Sequence, residues 1–147
     1  MQAVILDTNI LLDVFVFEDQ RALPLRAALF DQQLQAYTCT SALAELADVL
    51  SRPLFSLEDR RQREILEQWI SVSKSMDESK IMTAPWQCQD PDDQIFLNLA
   101  YTLKPAVLIS KDNQVLKLAN KATQAEIWIT NDYMAFASEK VILKRKL

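Results

Sequence analysis

Short unbroken apolar runs alternate with amphipathic stretches along the chain. Ala3 to Leu6 has no polar position, the pattern of a strand buried on both faces. Asn9 is placed to cap a helix carrying Ile10, Leu11, Leu12 and Val14. Pro24 suits the first turn of a second helix over residues 25–33, with Leu25, Ala28 and Leu29 on one face. Residues 35–39 read as a strand. Thr40 or Ser41 then caps a helix that Pro53 stops soon after Leu50. A long amphipathic helix is predicted over 57–74, with Ile65, Leu66, Trp69 and Ile70 inward. Residues 77–89 are less regular, with a short strand expected around Ile81 and Met82. Asp90, followed by Pro91, opens a helix reaching about Leu103. Ala106 to Ile109 is a second all-apolar strand, followed by a helix over 115–119, a strand over 126–129 and a last helix over 132–137.

Strands alternating with helices from end to end predict one α/β domain over residues 1–147, three layers (α/β/α) around a central parallel sheet. No repeat or linker divides it. The 147 residues are enough for a proper core, and half of them are hydrophobic. No apolar run approaches membrane-spanning length, so no membrane role is expected. Cys39 and Cys88 are far apart and form no Cys-x-x-Cys pair, which fits two buried thiols in a reducing cytoplasm.

Two absences narrow the chemistry. The chain has no histidine, which removes imidazole acid–base catalysis, Ser-His-Asp and Cys-His pairs, and histidine-bound zinc. It has no glycine, which removes glycine-rich phosphate loops. Turns must lean on Asn, Asp and Pro. The net charge of −4 argues against unaided coating of nucleic acid, though not against contact through bound cations or a local basic patch.

The informative acids sit at element boundaries. Asp7 follows the first buried strand and Asp112 follows the strand that ends at Ile109, where ligands gather in open parallel sheets. Either alone also fits a helix cap. Only Glu45 and Asp48 interrupt an otherwise apolar helix, so burial of Glu45 would demand a cation; a solvent-facing glutamate remains the alternative. Asp93 shares a helical face with Phe96, Leu97 and Ala100, which a purely capping acid has no reason to do. Asp90 fits the macrodipole and needs no other role. Four carboxylates gathered at one end of a sheet would repel unless cations were bound, and oxygen-only ligation selects Mg²⁺ or Mn²⁺. Such ions serve phosphodiester hydrolysis.

The run from Val4 to Leu11, with Asp7-Thr8-Asn9 at its centre, resembles the opening strand and signature of PIN-domain ribonucleases. Asp90-Pro91-Asp92-Asp93 and the helix after it resemble the central acidic helix of that family's toxin branch, the toxin components of toxin–antitoxin pairs. Glu45, within Ser41 to Leu46, is similar to the family's glutamate helix, and Val107 to Asp112 is similar to its later strand, hydroxyl residue and aspartate. The resemblance spans nearly the whole chain in order. It implies Asp7, Glu45, Asp93 and Asp112 as the catalytic, metal-binding quartet, with Thr8, Asn9, Asp92 and Ser110 as auxiliary groups. It also implies an RNA substrate, an antitoxin protein covering the site, and homodimerisation. Lys111 departs from the pattern and puts a cation beside the quartet.

Lys111 and Lys117 are the expected phosphate contacts, with Lys121 following them. Arg60, Arg61 and Arg63 read more simply as the solvated start of a helix. Lys140, Lys144, Arg145 and Lys146 read as a flexible basic tail over 140–147. Trp69, Trp86 and Trp128 read as core or interface anchors. The function expected is a Mg²⁺- or Mn²⁺-dependent endoribonuclease acting as a toxin. The alternative is a catalytically inactive PIN-like adaptor for RNA or protein.

Overall fold

The strands β1 (Ala3–Leu6) and β4 (Ala106–Ile109) are buried at every position, as their unbroken apolar runs require. They pair in parallel at the centre of a five-stranded sheet of order β3-β2-β1-β4-β5, in which every pairing is parallel. The computed structural model describes residues 2–137. The basic residues Lys140, Lys144, Arg145 and Lys146 lie outside the described residues.

Between β1 and β2 (Gln35–Thr38) run α1 (Thr8–Phe15) and α2 (Leu23–Phe30). The helices α3 (Thr40–Leu50) and α4 (Asp59–Val72) then lead to β3 (Ser73–Ser75). After α5 (Gln94–Thr102) and β4, the short helices α6 (Asn113–Leu116) and α7 (Ala119–Thr123) lead to β5 (Ile127–Thr130).

Strand side chains alternate between faces, and two apolar clusters form accordingly. Val4, Leu6, Ala36, Val107 and Ile109 face α1, α2, α4 and most of α3. Ala3, Ile5, Ala106, Leu108, Ile127 and Ile129 face α5, α6 and α7. This is the three-layer α/β/α arrangement, with a sheet too apolar to face water on either side. Trp69 anchors the first cluster and is fully buried against the edge of Phe15. Ile65 lies one turn earlier on the same face, also fully buried. Ile65→Val should lower the unfolding free energy by about 1 kcal/mol, measured by denaturant titration, because a single methylene leaves a small unfilled space.

Several predicted boundaries move. The third strand is Ser73–Ser75, not a segment around Ile81 and Met82. As an edge strand bearing Lys74 and two serines it carries no apolar run. The helix opened by Asp90 starts as a 3₁₀ turn, Pro91–Asp93, before α5 begins. The last predicted helix shrinks to a 3₁₀ turn, Ala135–Ala137. Asp7, not Asn9, caps α1, accepting a hydrogen bond from the Ile10 N–H at 3.1 Å. With no glycine in the chain, Glu18, Gln32, Ser56 and Glu126 occupy the left-handed region at the turns.

The strand order changes direction at β1: the chain moves outward to β2 on one side, and β4 lies on the other. Crevices beyond the carboxyl ends of strands at such a reversal are where open α/β sheets bind ligands. Asp7 and Ser110 are the first residues past these two ends. The Asp7 N–H still donates to the Ile109 carbonyl at 3.3 Å, so the sheet register itself sets the two side by side.

Candidate metal centre

Three aspartates around this crevice cap helical segments in the same way. Asp7 Oδ1 accepts from the Ile10 N–H at 3.1 Å, Asp90 Oδ1 from the Asp92 N–H at 3.0 Å, and Asp112 Oδ1 from the Gln114 N–H at 2.7 Å. Each cap satisfies a helix-end donor with one oxygen and leaves the other for the crevice. One carboxylate oxygen from each of Asp90, Asp93 and Asp112 lies within 4.8 Å of the others. That spacing suits several oxygens around one divalent ion.

Asp7 is 2% exposed, and its Oδ2 has no hydrogen-bond partner. Burial pushes its pKa up to about 6; the nearby Ser110 hydroxyl and the Ile10 N–H oppose the rise, Asp112 adds to it, and the charge of Lys111 lowers it. Asp93 also has a buried Oδ2 without a partner. Its pKa lies well above the usual carboxylate range, first through desolvation, then through the facing Asp112 carboxyl and the charges of Asp90 and Asp7. Glu45 is half-buried on α3, and its Oε2 accepts from the Thr8 hydroxyl at 3.1 Å. Burial raises its pKa, the Thr8 hydrogen bond opposes this, and the charges of Asp92, Asp90 and Asp7 add to it. Raised pKa values through burial and mutual repulsion mark a site that lacks positive charge.

Of the four acids singled out from sequence, Asp93 and Asp112 fall in the close group with Asp90, while Asp7 and Glu45 lie outside that group and are near enough for charge to act between them and its members. The buried, unpartnered oxygens of Asp7 and Asp93 are the observation that a cation fits. The donor set is carboxylate oxygen throughout, which favours a hard ion such as Mg²⁺ or Mn²⁺ over zinc or copper.

Asp90, read from sequence as a cap alone, joins the cluster. Asp90 is the N-cap of the 3₁₀ turn and Asp93 its last residue, and one carboxylate oxygen of each lies in the same close group with Asp112. Asp92 falls on another side and is exposed, outside the cluster, although its charge reaches Glu45. Ser110 is fully buried and its hydroxyl accepts from the Asp112 N–H at 3.1 Å. Thr8 holds Glu45, whereas Asn9 is exposed on the first turn of α1.

Of the expected phosphate contacts, Lys117 is exposed at the end of α6. Lys111 is drawn into an ion pair, its Nζ 2.6 Å from Asp13 Oδ2. Arg60 and Arg61 pair with Glu64, and Arg61 also donates to the Phe15 carbonyl. Among the described residues no helix is long and apolar enough to cross a membrane.

Among curated proteins, no sequence matches the chain. Residues 3–114, well over half of it, match the PIN domain family.

Proposed function

Because the chain belongs to the PIN-domain family, whose members are typically nucleases using divalent metals, we propose that it is a Mg²⁺- or Mn²⁺-dependent endoribonuclease, with Asp7, Glu45, Asp93 and Asp112 as its catalytic, metal-binding residues. The observation that carries this reading is the buried, unpartnered Asp7 oxygen at the β1–β4 reversal, where the charges of Asp7, Asp93 and Asp112 act on one another. Such a carboxylate is tolerable as an anion only beside a cation.

Asp7, Glu45, Asp93 and Asp112 would hold the ion, with Asp90 as an additional ligand on the exposed side. A divalent ion held there supplies positive charge for the phosphoryl oxygens and makes water a competent nucleophile near neutral pH. Thr8 fixes the rotamer of Glu45 through its hydroxyl, which leaves the other Glu45 oxygen for the ion. Ser110 secures the Asp112 backbone and lies against Asp7, so the two strand ends cannot drift apart. Asn9 and Asp92, both exposed at the rim, can meet the substrate or its water. Lys117, exposed after α6, would meet a more distant phosphate.

The finer reading is the toxin of a toxin–antitoxin pair in the cytoplasm, with a small antitoxin covering the site and the chain forming a homodimer. Its support is the likeness of Asp90 to Ala100 to the acidic helix of the family's toxin branch.

Incubation of a mixed RNA pool with the protein and Mg²⁺ or Mn²⁺ tests the activity. Cleavage that excess chelator abolishes is expected. Cutting that persists in chelator would overturn the reading, and tight RNA binding without cutting in any metal would leave an adaptor instead. Thr8→Val keeps the shape of the side chain and removes the donor to Glu45. It should slow cleavage by about tenfold, the low end for groups that orient a ligand, as read from initial rates at saturating metal.

A further inference from the structure

Beside the acidic crevice lies a second buried carboxylate that the proposed reaction does not use. Asp13 is on α1, the helix that Asp7 caps, and is 3% exposed. Its Oδ2 receives two donors: the Lys111 ammonium at 2.6 Å and the Tyr133 hydroxyl from beyond β5. Tyr133 is itself buried, and the Arg21 guanidinium lies 5.9 Å over its ring. Lys111 sits in sequence between Ser110, which lies against Asp7, and Asp112, which faces Asp93. Its charge is felt at Asp7, yet among the described residues its ammonium pairs with Asp13 and with none of the crevice acids.

This arrangement needs a cause. A lysine ammonium on a flexible four-carbon stem is drawn to the nearest uncompensated negative charge, and the crevice holds several carboxylates with raised proton affinity. Left free, Lys111 could swing into the crevice and occupy by its own charge the place of a divalent ion. Asp13 competes for it from the other side. A buried carboxylate with two donors on one oxygen is held in a single orientation, which fixes where the ammonium rests.

We propose that Asp13, held by Tyr133, is a positioning residue that anchors the Lys111 ammonium away from the crevice carboxylates and so keeps them open to divalent cations. The proposal rests on the crevice being a metal site, and it adds a residue that touches neither metal nor RNA.

Mn²⁺ binding, measured by calorimetry at fixed pH and ionic strength on the wild type and three variants, provides the test. Asp13→Asn keeps an acceptor for Tyr133 but removes the charge that holds Lys111. It should weaken Mn²⁺ binding by about tenfold, the order that one unit charge a few ångströms away supplies in a partly solvated site. Lys111→Met should bind Mn²⁺ at least as tightly as wild type. Asp13→Asn combined with Lys111→Met should return to within about twofold of Lys111→Met alone, because no ammonium remains to intrude. A double variant as weak as Asp13→Asn would mean that Asp13 merely supports the fold, and would overturn the proposal. So would unchanged binding in Asp13→Asn. A wild type that binds no Mn²⁺ would instead remove the metal site beneath it, and the proposal with it.

Should Asp13→Asn fail to fold, the Lys111 ammonium ¹⁵N resonance of the wild type decides. Its persistence, little shifted, on saturation with Mg²⁺ is expected for an ammonium resting on Asp13. A large Mg²⁺-induced displacement would show that it had lain among the crevice acids, against the proposal.

Discussion

Asp7→Asn is expected to lower metal-dependent RNA cleavage by at least about 10²-fold, beyond the ~10–100-fold typical of residues that only orient a ligand, while the ion-free protein gains stability. Asparagine keeps the Oδ1 acceptor for the Ile10 N–H, so the start of α1 stays capped. What disappears is the anionic Oδ2, buried and without a partner. In the ion-free protein that charge is a burden. Burial holds the Asp7 pKa at about 6 against an unfolded value near 3.9, and two units correspond to about 3 kcal/mol of penalty at neutral pH. Most of this should return in the variant as a higher unfolding free energy in the presence of chelator. Initial rates and denaturant titrations on the same preparations check both halves. Undiminished cleavage by Asp7→Asn would remove Asp7 from the site.

The second large effect is on the pH dependence of stability. Without divalent ions the wild-type protein should become less stable as pH rises from about 4 to about 7. Asp7, Glu45 and Asp93 all have folded-state pKa values above their ordinary ones. Between the unfolded and folded values the folded chain therefore binds more protons than the unfolded chain, and the unfolding free energy falls with pH. For Asp7 the loss accumulates from near pH 4 and is complete above about pH 6. The carboxylates with lowered pKa values, Asp19, Asp77 and Glu78, act in the opposite direction but at lower pH. Saturating Mg²⁺ or Mn²⁺ should offset the decline and make the protein most stable near neutrality, by mass action on the folded state. Denaturant midpoints at pH 4.5 and pH 7, with chelator and with metal, provide the measurement. A stability that climbs with pH in chelator would show that these acids are not buried together.

The central strands were readable from sequence because burial on both faces leaves no room for polar residues, as in Ala3 to Leu6 and Ala106 to Ile109. The same logic fails at an edge. Ser73–Ser75 is held by pairing with β2 and needs no apolar side chains, so it carries no signal of its own. Asp7, Glu45, Asp93 and Asp112 stand out in the sequence because each lies where a strand ends or where an acid breaks an apolar helical surface, and two of them, Asp93 and Asp112, share the close acidic group. Asp90 was hidden by a second occupation. Its cap role is real, and its place beside Asp93 and Asp112 emerges only in the folded chain. Asp13 could not be found from local pattern at all. Its partners Lys111 and Tyr133 are far along the chain, and a single acid within Ile10 to Phe15 gives no hint of them.

The crevice also lies where two separately packed halves of the molecule meet. Asp7 begins a helix that packs on one side of the sheet, while Asp93 and Asp112 begin helices that pack on the other. An ion gripped by all three would act as a rivet through the sheet's end, joining groups that lie on opposite faces of β1 and β4. Loading the pocket would therefore damp opening on both sides together, and amide exchange in α1 and α5 would slow in concert although the two helices pack on opposite faces of the sheet.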